Sequence, residues 1–162
     1  VHHGAHVFAV ASNTEKQSIC RQQGAEAAAG YDNWQDDVRT WHPPGCDIVF
    51  DSVGSTLLQS LDALKEGGRV VLFGMSGGAI PSVAPSAFLL KSSGVIGADL
   101  WTYLTSQAER QRRADRLFGL LESGAIARTT ATAFHLSAGA KPHDLLEDRT
   151  FSGKIILLPS RV

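Results

Sequence analysis

The chain has 162 residues, 43% hydrophobic and 19% charged, a globular balance that fits one domain or slightly more. Fifteen Lys and Arg against sixteen Asp and Glu leave a net charge of −1, which excludes a general nucleic-acid or polyanion binder. No apolar run approaches the roughly 20 residues of a membrane helix, and two cysteines, Cys20 and Cys46, make no disulfide framework and fit a reducing compartment.

In chain order, His6-Val7-Phe8-Ala9-Val10-Ala11 is rich in strand formers and too short for a helix. Two overlapping capping boxes follow, Ser12 with Glu15 and Thr14 with Gln17, so a helix is expected from there to Gly24. Ala25 to Gly30 reads as a short strand and Tyr31 to Trp41 as a helix, closed by the Pro43-Pro44-Gly45 turn. Cys46-Asp47-Ile48-Val49-Phe50-Asp51 is a second clear strand. Thr56 and Gln59 form another capping box, with Leu57, Leu58, Leu61 and Leu64 on one face of a helix that Gly67-Gly68 should stop.

Arg69-Val70-Val71-Leu72-Phe73 is apolar enough for a strand buried on both faces. The loop Gly74 to Pro85 leads into a short helix through Phe88, Leu89 and Leu90, and then a strand around Gly94 to Leu100. Strands and helices alternating at these lengths predict a parallel, doubly wound α/β sheet. Beyond it, Thr105 to Ser123 reads as one long helix, with Leu117, Leu120 and Leu121 inward and Arg110, Arg112, Arg113 and Arg116 outward. Glu109, Asp115 and Glu122 interleave with those arginines, so the run is a solvated face rather than a phosphate site. Thr129 to His135 and Lys154 to Leu158 are strands flanking a short helix through Leu145 and Leu146.

In a parallel sheet, ligands bind beyond the carboxyl ends of the strands. The segments to weigh are therefore Ser12 to Lys16, Asp51 to Ser55, Phe73 to Gly78 and Gly97 to Trp101. Glycine in three of the four lets backbone approach a ligand closely. None holds a nucleophile–base pair, so no catalytic side chain is assigned. Hydroxyl and backbone lining suits a bound cofactor better than covalent chemistry.

Gly4 to Lys16, Gly24-Ala25, Tyr31, Asp47-Ile48-Val49-Phe50-Asp51-Ser52-Val53-Gly54, Gly67-Gly68-Arg69-Val70-Val71-Leu72-Phe73-Gly74 and Gly153 to Pro159 occur here in order. Together they resemble the zinc-independent medium-chain dehydrogenases/reductases of the quinone oxidoreductase (zeta-crystallin-like) type, over nearly the whole chain. The resemblance implies a Rossmann-like α/β fold and an NADPH-dependent oxidoreductase reducing a quinone or other conjugated carbonyl. It implies cofactor contacts from Ser12, Asn13 and Lys16 at the adenosine ribose and its 2′-phosphate, with Tyr31 beside them. Ser52 and Val53 would lie along the cofactor, Phe73, Gly74, Met75 and Ser76 on the nicotinamide side, and Ile96, Gly97 and Ala98 at the carboxamide. Arg149 sits where some members use an arginine. The strand ends in Ser12-Asn13 rather than an acidic residue, with Lys16 one turn on, which favours NADP over NAD.

Taken without the family register, Lys16 is an exposed helix lysine, Tyr31 an ordinary half-buried tyrosine, and Phe73 a core residue of a central strand. The family's first strand and its Gly-rich turn have no counterpart, because Val1-His2-His3 matches only the tail of the following helix. The expected division is a partial dinucleotide-binding domain over 1–104 and, over 105–162, a portion that packs on a substrate domain not in this sequence. On this reading the chain is the carboxyl-terminal half of a cytoplasmic enzyme, homodimeric through the edge strand near Gly94 to Leu100. Two rivals are a non-catalytic, crystallin-like structural fragment and an enoyl-reductase module of a polyketide or fatty-acid synthase. The six histidines and two cysteines show no metal-ligand spacing. Protein purified without added metal is therefore expected to contain no stoichiometric zinc by elemental analysis.

Overall fold

The structure is a computed structural model that describes residues 1–148 and 151–159. Contacts divide it into two compact units, the larger spanning His3–Arg116 and the smaller taking up the chain from Leu117.

The larger unit opens with strand β1 (Phe8–Val10), helix α1 (Thr14–Gln22), β2 (Ala27–Ala29) and α2 (Trp34–Trp41). Neither expected capping box starts α1. Asn13, between the two candidate caps, takes the position because its side-chain oxygen reaches the Lys16 N–H at 2.9 Å. Gly24 closes the helix in the left-handed region at φ +102, as its position predicts. Three further strands follow, β3 (Cys46–Asp51), β4 (Leu64–Leu72) and β5 (Gly94–Gly97). Between them lie α3 (Leu57–Asp62) and α4 (Ser86–Lys91), and after them α5 (Leu100–Tyr103). The parallel α/β reading holds, and β1 pairs β2 while β3, β4 and β5 form one parallel sheet with β4 in the middle.

Several boundaries differ from expectation. Gly67-Gly68 does not stop α3, which ends at Asp62; the glycines lie inside β4, where the register with β3 shifts. Leu64 is buried, but as a strand residue rather than the last of a helical stripe, and Leu58 is exposed. Phe73 lies past the end of β4 and is 53% exposed, so it is not core. β5 ends at Gly97, and Leu100 begins a helix.

Two apolar clusters hold this unit together. Ala29, Trp34, Val38 and Ala63 gather Phe8, Val10, Cys46 and Val49 around them, while Leu57, Leu64 and Val70 gather Val49, Leu61, Val83 and Val95. The first cluster packs residues of β1 and β3 against one core, yet among the described residues no ladder joins those two strands. Each therefore keeps an edge unpaired.

Helix α6 (Gln107–Glu122) carries the unit boundary. Glu109 on it pairs with Arg112 and Arg113, which hold its carboxyl down at about 2. The arginine run is thus a solvated face on which Arg112 and Arg113 are charge-paired, although Leu117 is half exposed rather than inward. In the smaller unit, β6 (Ala131–His135) and β7 (Lys154–Leu158) pair in parallel, with α7 (Ala140–Glu147) between them in sequence.

Unpaired edges on apolar strands template association with other chains. The 162-residue chain on its own is expected to sediment as an oligomer. A single monomeric boundary across a wide concentration range would contradict this.

Candidate functional site

The register of the central sheet puts Asp51 opposite Leu72 and Leu72 opposite Gly97, so the loops leaving β3, β4 and β5 start level with one another. Beyond those ends lies an open cavity of about 960 Å³. Phe73, Gly74 and Met75 line it after β4, Gly97 and Ala98 at the end of β5, and Phe50, Trp101 and Tyr103 complete an aromatic wall. Ala98 is fixed by its N–H donating to the Leu72 carbonyl at 2.9 Å.

A smaller cavity of about 160 Å³ lies between Phe8 and Val10 of β1 and Phe50 and Asp51 of β3. Tyr31, Trp34, Ser52 and Val53 also line it. Trp34 is buried, and its indole N–H has no hydrogen-bond partner.

Between the two cavities the loops after β3 and β4 clasp one another. The Ser76 N–H and hydroxyl both donate to the Ser52 carbonyl, at 3.3 and 3.2 Å, and the Gly77 N–H donates to the Val53 carbonyl at 2.9 Å. A Cβ at Gly74 would run into the Ser52 carbonyl oxygen, and one at Gly77 would meet Val53 Cγ1 at 2.5 Å. Only glycine permits this approach.

Asp51 anchors the first loop. Its Oδ1 accepts the Val53 and Gly54 N–H groups, both at 2.9 Å, and its Oδ2 accepts the Ser60 hydroxyl at 2.7 Å. The Thr56 hydroxyl lies within 3.0 Å of both oxygens. That engagement explains why Thr56 does not cap α3 through its side chain.

Of the residues singled out from the sequence, Phe73, Gly74, Met75, Gly97 and Ala98 meet at the larger cavity, and Tyr31, Ser52 and Val53 at the smaller. Ser76 belongs to the clasp. Ile96 is held in β5 opposite Val71 and lines neither cavity. Ser12, Asn13 and Lys16 stand together at the start of α1, outside both. Arg149 falls outside the described residues. Phe50, Trp101 and Tyr103 received no role from the sequence, although Trp101 closes one of the four weighed segments. Phe50 reads as a strand interior, and Trp101 and Tyr103 follow a strand end, where an aromatic run was itself a signal. Among the described residues no three His, Cys, Asp or Glu side chains gather where a metal ion could sit.

Burial pushes the Asp51 carboxyl up, but hydrogen bonds from Gly54, Ser60, Val53 and Thr56 outweigh it and leave the group below the usual carboxylate range. A depressed folded value means that the stabilisation is complete above the unfolded carboxyl's pKa of about 4 and is lost as pH falls through the folded value. Urea unfolding of wild type and Asp51→Asn at stepped pH is expected to show a gap that is constant near neutrality and closes below about pH 4. A gap that widens on acidification would contradict the assignment.

Residues 1–116 match the zinc-binding dehydrogenase family. The chain is 33% identical over 155 residues to a probable quinone oxidoreductase of Schizosaccharomyces pombe, covering 94% of this chain and 47% of that protein. It is 30% identical to a 2-haloacrylate reductase of a Burkholderia species, over 98% of this chain and 49% of that protein. The fold matches the crystal structure of Escherichia coli quinone oxidoreductase complexed with NADPH at a TM-score of 0.86 and 28% identity, over 96% of this chain and 50% of that one. The chain thus spans about half the length of the curated relatives it matches. With 1–116 matched and the sheet and clasp in place, this chain belongs to the zinc-binding dehydrogenase family, on the side of the quinone oxidoreductases.

Proposed function

We propose that the intact protein is an NADPH-dependent reductase acting on a quinone or another conjugated carbonyl compound. The observation that carries this reading is the apolar cavity beyond β3, β4 and β5, walled by Phe73 to Met75 on one side and Gly97-Ala98 on the other. The residues present fit a dinucleotide. A Cβ built on Gly97 meets nothing within 4 Å, so bare backbone faces open space at the strand end. Trp34 offers an unpartnered donor in the wall of the second cavity. The likeness to a quinone oxidoreductase solved with NADPH supports the same cofactor.

When bound, the cofactor supplies the hydride, and the protein supplies position and surroundings. In this reading Phe73, Gly74, Met75 and Ser76 hold the nicotinamide side, and Ile96, Gly97 and Ala98 present backbone to its carboxamide. Ser52 and Val53 run along the middle. Tyr31, Ser12, Asn13 and Lys16 take the adenosine end. The aromatic wall of Phe50, Trp101 and Tyr103 accepts a flat, apolar acceptor. A quinone and a 2-haloacrylate share an electron-poor double bond conjugated to a carbonyl group, which is the acceptor class both named relatives point to.

The same reading makes the protein a cytoplasmic homodimer. β5 pairs only β4 among the described strands, and Leu89 and Leu90 of α4, 80% and 88% exposed, lie on the next helix back in sequence. A second copy pairing along β5 covers an edge of this kind. Among the described residues no helix is long and apolar enough to cross a membrane. Residues 1–104 serve the cofactor, and 105–162 pack on a substrate domain.

Fluorescence titration of the intact protein with NADPH, and turnover of a benzoquinone, test the proposal; no NADPH binding would overturn it. A Lys16 contact with the 2′-phosphate is a charge-assisted hydrogen bond of about 1.5–3 kcal/mol, or about ten- to a hundredfold in affinity. Lys16→Ala is expected to weaken NADPH by that factor and leave NADH nearly unchanged. Equal losses for both would assign Lys16 to helix stability instead.

A further inference from the structure

Asp51 is a buried carboxylate at the site that the reaction above leaves without a role. It is 3% exposed, and every hydrogen bond of its carboxylate comes from the nine residues that follow it. The two oxygens divide that work. Oδ1 holds the Val53 and Gly54 N–H groups, which shape the loop, and Oδ2 holds Ser60, which ties the loop to α3. The loop so shaped meets Gly74 and Gly77 with no room for a side chain on either. Its Ser52 and Val53 wall the smaller cavity, Gly74 and Met75 wall the larger, and Phe50 walls both. The clasp is therefore a shared partition, and a shift of the loop changes both cavities together.

We infer that Asp51 is a positioning residue: by fixing Ser52 to Gly54 against Gly74 to Gly77, it sets the partition over which an extended ligand lies at its midpoint. The inference rests on the dinucleotide reading of the site. It carries a signature that Lys16 does not share. The partition is distinct from the Ser12 to Lys16 segment, so disturbing it weakens NADPH and NADH by the same factor.

The test is titration of the intact protein and its variants with NADPH and with NADH, each variant also scored by thermal melting. Asp51→Ala strips the acceptor from two backbone donors, and about a tenfold rise in Kd is expected for both cofactors. Asp51→Asn keeps an oxygen for those donors and is expected to restore affinity to within about threefold of wild type. Gly77→Ala pushes on Val53 from the opposite loop without touching Asp51, and is expected to reproduce the equal loss even if Asp51→Ala fails to fold. Val70→Ala, a core truncation outside both cavities, is expected to lower the melting temperature and leave both Kd values unchanged. If wild type binds both cofactors and Gly77→Ala and the folded Asp51 variants bind them equally well, the positioning role is overturned while the dinucleotide reading stands. Loss confined to NADPH, or a Val70→Ala loss as large as that of Gly77→Ala, also overturns it. A wild type that binds neither cofactor overturns the dinucleotide reading itself.

Discussion

The register of three parallel strands sets the geometry of everything at the site. Asp51, Leu72 and Gly97 stand abreast because β4 pairs β3 on one side and β5 on the other, with Val70 fully buried at its centre. Strands in this arrangement release their chains on one side of the sheet, where the loops meet one another before they meet solvent. The meeting here is close, against the Ser52 backbone at Gly74 and against the Val53 and Ser55 side chains at Gly77. A buried carboxylate then converts one loop from a flexible connection into a fixed surface, since four donors leave its oxygens saturated.

The other half of the unit is held differently. β1 and β2 form a ladder of their own, and what keeps them beside β3 is side-chain packing around Trp34 and Val38. Packing of this kind fixes separation without fixing register, because it lacks the directional hydrogen bonds of a ladder. The smaller cavity lies along that join. The two cavities consequently differ in what defines them: the larger has walls set by paired strands, and the smaller has one wall set only by apolar contact.

How much of this could be read from the residues depended on whether the signal was local. Cys46 to Asp51 is a short run rich in strand formers, with Ile48, Val49 and Phe50 in succession, and the strand has those bounds. Gly24 and Gly45 mark turns with φ of +102 and +91, as glycine after a helix or a Pro-Pro pair does. Leu57, Leu61 and Leu64 misled because residues spaced four and then three apart share a helical face whether or not the helix reaches the last of them. Leu64 belongs to β4, and tertiary pairing with Cys46 decides it. Phe73, apolar and next to a central strand, has no local feature that says it leaves the core. Asp51 was visible as part of an Asp-Ser-Val-Gly motif, but its partner Ser60 lies nine residues on, and nothing in the spacing links them.

The joint between α3 and β4 has a consequence for how such a chain can change over time. One residue, Ala63, separates helix from strand, and its carbonyl accepts the Cys46 N–H at 2.9 Å. A Cβ on Gly45 would sit 2.7 Å from the same oxygen, while Arg39 and Lys91 both donate to the neighbouring Asp62 carbonyl. The joint has no slack, so an inserted residue there must displace two strands and two cations at once. The stretch from Gly74 to Pro85 is the opposite case: past the clasp, Gly78 and its neighbours are exposed, and nothing surrounds the Gly78 position. Lengthening and shortening are tolerated at the mouth of the larger cavity and excluded at the far end of the sheet, so drift in chain length is channelled to the loops around that cavity.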